Sequence, residues 1–135
     1  MKSTILSFVF ALSMIGILMV GCAKTDPNEE TNDLLNGTWK ATSFITNDNV
    51  ERITGDITKN TMVFQKDSID GGLLSWDIVT PLVQLEDWSG RYNIYNSGTR
   101  LGFADKTFSV TFEGDLLKMT LLNGDEAYDI VAEMK

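Results

Sequence analysis

The segment KTFSVTFE, Lys106 to Glu113, sets apolar Phe108, Val110 and Phe112 against polar Thr107, Ser109 and Thr111. A period of two with one apolar face is the pattern of a half-buried β-strand; a helix would scatter these residues around its axis. The pattern recurs along the chain. NTMVFQKD, Asn60 to Asp67, puts Met62 and Phe64 on one face. LLSWDIVT, Leu73 to Thr80, sets Leu74, Trp76 and Ile78 against Ser75 and Asp77, and GRYNIYN, Gly90 to Asn96, sets Tyr92 and Ile94 against Arg91 and Asn93. TWKATSFIT (38–46), TRLGFA (99–104), LLKMTLLN (116–123) and EAYDIVAEM (126–134) complete the series, the last alternating Tyr128, Ile130, Ala132 and Met134 with Asp129, Val131 and Glu133. Turn signals separate the runs: Asp70-Gly71-Gly72, Ser97-Gly98, Gly114-Asp115 and Asn123-Gly124. Asn-Gly predicts a two-residue type I′ hairpin, since both residues accept a positive φ. Pro81 ends a strand or sits on an edge. About eight strands at this spacing predict an all-β barrel or sandwich. Asn47 to Lys59 has no clear period, and no helix of ordinary length is expected.

The amino-terminal segment is of another kind. After Lys2, Ile5 to Val20 is apolar apart from mild interruptions at Ser7 and Ser13. That is the layout of a secretory signal peptide, and it is short of the about 20 residues a stable membrane span needs. The run ends at Met19-Val20-Gly21-Cys22, which holds the only cysteine in the chain. These four residues resemble the lipobox of bacterial lipoproteins, with methionine where leucine is usual. The resemblance implies a diacylglyceryl group on the Cys22 sulfur, cleavage before Cys22 and an acylated new amino terminus. Residues 1–21 are then a lipoprotein signal peptide, and the membrane is a partner through the lipid. One acyl chain anchors marginally, at about 0.8 kcal/mol per buried methylene, so two or three chains on one residue suffice without a protein span. Ala23 stands where an aspartate would retain enteric lipoproteins at the inner membrane, so the expected location is the outer membrane of a cell envelope. AKTDPNEETND, Ala23 to Asp33, carries four acids and no bulky apolar group. It is expected to be a flexible acidic tether, residues 22–33, because it cannot bury enough to fold. It is also similar to the surface-export signals of Bacteroidetes lipoproteins.

Composition excludes several functions. The chain has 11 basic and 19 acidic side chains and a net charge of −8, and loss of Lys2 with the leader makes it one unit more negative. Nucleic acid and anionic headgroups would repel it. There is no histidine, so Ser-His-Asp and Cys-His catalysis and histidine-ligated metals are excluded. With Cys22 acylated, no thiolate remains. Neither a cofactor nor a metal is expected.

Gly37-Thr38-Trp39 heads the first predicted strand and resembles the glycine-x-tryptophan motif of lipocalins. The order of lipobox, polar tether, L-x-G-x-W and antiparallel hairpins is similar to the lipocalin-like domains of many small Bacteroidetes lipoproteins. The resemblance implies a single antiparallel up-and-down barrel over residues 34–135, with Trp39 packed across its closed end. Lipocalins pair that tryptophan with a basic residue, for which the last strands offer only Lys118 and Lys135. An eight-stranded barrel is just wide enough to be filled by side chains or to hold one small ligand. Trp39, Phe64, Trp76, Tyr92, Phe103, Phe108, Phe112, Met119 and Tyr128 are the candidates to line a pocket or to plug it, with Tyr92 and Tyr128 as polar handles. The expected function is non-catalytic binding of a small apolar ligand. The alternative is a filled barrel that docks another envelope protein. The acidic pairs Glu86-Asp87, Glu113-Asp115 and Asp125-Glu126 offer carboxylates for acid–base work, but two of them flank turns, where acids belong on local grounds. DSIDGG, Asp67 to Gly72, resembles a calcium loop without its spacing and reads as a turn. Trp88 sits in a polar loop, EDWSG, available to a partner or to the barrel mouth.

Overall fold

The computed structural model describes residues 24–53, 59–78, 88–124 and 128–135. Its eight strands are β1 (Gly37–Ile45), β2 (Asn60–Lys66), β3 (Gly71–Ile78), β4 (Trp88–Tyr95), β5 (Arg100–Phe103), β6 (Lys106–Glu113), β7 (Leu116–Leu121) and β8 (Asp129–Met134). Each pairs antiparallel with its neighbour in sequence, and β8 pairs with β1, so the sheet is a closed up-and-down barrel. Closure removes the free strand edges that a sandwich would expose. The alternating faces fall as expected: Met62, Phe64, Leu74, Trp76, Ile78, Ile94, Phe108 and Val110 are all buried. Met134 is the exception in its strand; it shares the parity of buried Ala132 but lies at the strand end, half exposed.

Several local features differ from the sequence expectation. Gly71 and Gly72 belong to β3 rather than to a turn: both pair with β4, and Gly72 pairs with Lys66 of β2 so closely that a side chain there would strike the Gln65 carbonyl. Trp88 opens β4 in register with Trp76 instead of lying in a loop. Asn123-Gly124 is not a two-residue turn: β7 and β8 pair at Thr120 and Asp129, leaving a longer connection. The two-residue turn with positive φ at both positions falls at Ala104-Asp105 between β5 and β6. Asn123 explains how non-glycine residues hold that shape. Its amide accepts from Thr107 N (2.6 Å) and donates to the Asp105 carbonyl (3.0 Å).

The largest correction concerns the acidic segment. Residues 27–33, expected to belong to a flexible tether, form helix α1 (Pro27–Leu35) together with Leu34 and Leu35. Asp26 caps it by accepting from Asn28 N at 2.8 Å, Pro27 occupies the first turn, and Glu29 and Glu30 complement the positive end of the helix dipole. The helix begins over the β4–β5 turn and ends at β1, half the circumference away, so it crosses one mouth of the barrel. Trp39 lies beneath its last turn. The indole is 3% exposed, its Nε1 donates to the Leu35 carbonyl at 2.7 Å, and its ring lies 6.1 Å from that of Phe112. The ring neighbour seen for Trp39 is Phe112 of β6, and Lys118 of β7 instead bonds Glu113. Trp39→Ala should lower unfolding stability by about 3–5 kcal/mol, the range for large aromatic truncations in cores. Urea denaturation measures this, and an almost unmoved midpoint would contradict the packing described.

Candidate functional site

The barrel has two different ends. One is crossed by α1; the other carries the β1–β2, β3–β4, β5–β6 and β7–β8 connections. The nine candidate pocket residues lie between them.

Eight of the nine are at most 7% exposed; Phe112 is partly buried against the same core. Several meet across the interior rather than lining a space. Trp76 on β3 and Phe108 on β6 stand three strands apart, yet their ring centroids are 6.0 Å apart. Trp39 on β1 reaches Phe112 on β6. Phe64 on β2 meets Tyr92 on β4 edge-on at 5.3 Å. The edge-on geometry of the last pair is one that aromatic rings prefer, and the other two pairs are tilted, at 31° and 47°. Ala41 and Ala132, paired on β1 and β8, keep that wall thin, an alternation of small and large that suits a narrow barrel. Phe103 and Met119 are buried on β5 and β7. Tyr128 lies at the loop-bearing end, its ring 5.2 Å from Phe44 and with the Lys106 ammonium 5.8 Å from its centroid.

Tyr92 is a polar handle, but for the protein itself. Its hydroxyl donates to Asn32 Oδ1 of α1 at 2.6 Å. Asn32 is fully buried, and its Nδ2 donates to the carbonyls of Ser68 (3.1 Å), Ile69 (3.3 Å) and Gly71 (3.0 Å). The β2–β3 connection, 67–70, and the first residue of β3 thus converge their carbonyls on one amide. Asp67 at its start forms a bidentate pair with Arg91, at 2.7 and 2.8 Å, which holds its carboxyl below the usual range. A second set of bonds fixes the start of α1: Gly98 N donates to Asn28 Oδ1 at 2.7 Å, and Thr31 Oγ1 donates to the Gly98 carbonyl at 3.0 Å. Gly98 has φ +78°, and a Cβ there would run into Thr31 and Pro27, so the turn needs glycine for conformation and for space. Lys66 reaches Asp33 and Glu29 from β2, and these acids raise its pKa. Asn28, Thr31 and Asn32 were absent from the sequence-based candidates; the available signal was the capped start D-P-N-E-E.

At the other end, the β1–β2 connection is tied to itself. Glu51 Oε1 accepts from Phe44 N (2.7 Å) and Ile53 N (3.0 Å), while Ser43 Oγ donates to Oε2 (2.5 Å). Arg52 bonds Asp48 and Thr46, and the Thr46 hydroxyl is the main cause holding the Asp48 carboxyl below its ordinary value. Val50 and, beyond β7, Leu122 are left exposed.

No catalytic pair emerges among the described residues. Glu113 bonds Lys118 at 2.6 Å across a tight turn; Glu86-Asp87 and Asp125-Glu126 lie outside the described residues, as do Pro81 and Cys22. Among the described residues no cluster of three or more carboxylate, cysteine or histidine side chains could hold a metal.

No protein-family model matches the chain, and no curated protein matches it significantly. Among solved structures it is similar to a redesigned β-barrel, with a TM-score of 0.52 and 12% identity over 78% of this chain and 95% of the other. That likeness is one of fold alone. The described residues form a closed eight-stranded antiparallel barrel with one short helix.

Burial first, and then the Asp67 carboxylate, push the Tyr92 phenol from 10.0 up to about 12. The folded chain therefore holds this proton more tightly than the unfolded chain. The resulting stability is complete below the ordinary tyrosine value and is lost as pH rises through the folded one. Urea titrations at about pH 9 and about pH 11.5 should show the wild type weakening between them. Tyr92→Phe should start about 1–3 kcal/mol lower, since Asn32 Oδ1 loses its donor, and should fall less over the same interval. Equal alkaline losses in both proteins would contradict the burial of this phenol.

Proposed function

We propose that this protein is a lipid-anchored envelope lipoprotein whose barrel, of lipocalin type, is a filled and non-catalytic platform that engages another envelope component through its loop-bearing end. One observation carries the choice of platform over carrier: the rings of Trp76 and Phe108, from strands three apart, approach each other across the lumen with centroids 6.0 Å apart. Seating a ligand there means separating rings already in contact and fully removed from water, which costs the dispersion and burial they supply. The lipocalin reading rests on Gly37-Thr38-Trp39 at the head of β1, with Trp39 buried under the closed end. The anchor rests on Met19-Val20-Gly21-Cys22 at the end of a short apolar leader. The absence of histidine throughout the sequence supports a non-catalytic role. The stapled β1–β2 connection with exposed Val50 is the part of the loop end best organised to meet a partner.

Two mass measurements test this. The protein purified from its own envelope should begin at Cys22 and carry the added mass of its acyl groups; an unmodified Cys22 would remove the anchor. Native mass spectrometry of the same material should give no stoichiometric small-molecule adduct. A bound apolar molecule that leaves on denaturation would return the barrel to the ligand-carrier reading.

A further inference from the structure

We infer that the helix-capped end of the barrel faces the bilayer and that Leu34, Ile69 and Met134 rest on its headgroup layer, leaving the loop-bearing end pointed away from the membrane. The inference depends on the acylation of Cys22 proposed above, and goes beyond it to the attitude of the domain and the surface it uses.

The first observation is the length of chain available. Cys22 lies four residues before Asp26, which caps α1. Four residues span at most about 14 Å when fully extended. The start of α1 is not free to follow the lipid, because Asn28 and Thr31 fix it to Gly98 in the β4–β5 turn. Strands of eight residues rise about 26 Å along their length, and a tilt of 35–45° leaves a barrel about 20 Å tall. A tether of about 14 Å cannot run down that wall and bring the loop-bearing end to the membrane plane. The remaining attitudes are end-on and side-on.

The second observation chooses between them. Leu34 is 50% exposed, Ile69 57% and Met134 52%. Leu34 lies near the carboxyl end of α1, Ile69 in the β2–β3 turn and Met134 at the end of β8, so all three belong to the rim beside α1. They follow one arc around the closed barrel, from β8 past the head of β1 to the β2–β3 turn. The outward side of α1 supplies Glu30 and Asp33 rather than basic groups. The contact is therefore apolar and shallow, and suits a surface of low net charge.

The test uses the acylated full-length protein in phosphatidylcholine vesicles. Cys22 is the only native cysteine and its sulfur is occupied, so one introduced cysteine can be labelled alone. Ile69→Cys and Val50→Cys, each carrying a small fluorophore, are compared for quenching by nitroxide lipids. Flotation with the vesicles checks the anchor first; a correctly folded protein that does not float overturns both readings. In floating protein, quenching at position 69 should exceed that at position 50 several-fold. Leu34→Ser with Met134→Ser should reduce the quenching at position 69 while flotation persists. Equal quenching at the two positions, or stronger quenching at 50, overturns the orientation with the anchor intact. A label at 69 hidden from water yet out of reach of the lipid quencher would reveal a protein occupant and overturn it as well.

Discussion

The side chain of Asn32 is where the two parts of this molecule join. It is fully buried, and it belongs to an acidic helix whose other buried residue is Leu35. A primary amide can donate twice and accept twice, and here its two N–H groups are shared among three converging carbonyls, those of Ser68, Ile69 and Gly71, while its oxygen accepts from Tyr92. None of those groups could be buried alone without a cost of about 1–3 kcal/mol. The helix thus docks by polar complementarity, assisted by Leu35 and by the indole of Trp39. Removal of the helix would open one mouth of the barrel and uncover several buried polar groups together.

That bond network also organises the rest of the closed end. Tyr92 is held upright against Phe64 by its bond to Asn32, and the β2–β3 turn is drawn under the helix by its carbonyls. The β4–β5 turn meets the first helical turn through Gly98, whose lack of a side chain permits the approach. Between the ends, aromatic rings from facing strands occupy the lumen. The polarity of the molecule follows: one end is crossed by α1 and sealed by local bonds, and the other carries only connections between strands.

The barrel was legible in the sequence because period-two alternation reports directly on which face of a strand is buried. Lys106 to Glu113 is a strand with the bounds its pattern predicts, and Met62, Phe64, Trp76 and Ile94 point inward as read. Alternation says nothing about what closes the ends. α1 was hidden because it buries an asparagine and one leucine rather than an apolar stripe, so its composition matched that of a disordered tether. The turn chemistry misled for a related reason: Asn123 serves a neighbouring turn through its side chain, a long-range contact that a dipeptide signal cannot encode. Of the candidate residues, burial was readable. That Trp76 meets Phe108, and that Tyr92 serves α1, depended on barrel closure and on the helix.

Amide hydrogen exchange in the native full-length protein measures the central claim most directly. If α1 is part of the barrel, the amides of Glu30 and Asn36, which donate to Asp26 and Asn32, open only with the sheet. Their exchange free energies should then match those of the slowest amides in β6 and β7. Exchange of the helix amides at the rate of an unstructured chain, with the strands still protected, would mean that the acidic segment is a tether after all and that the closed end is not sealed by Asn32.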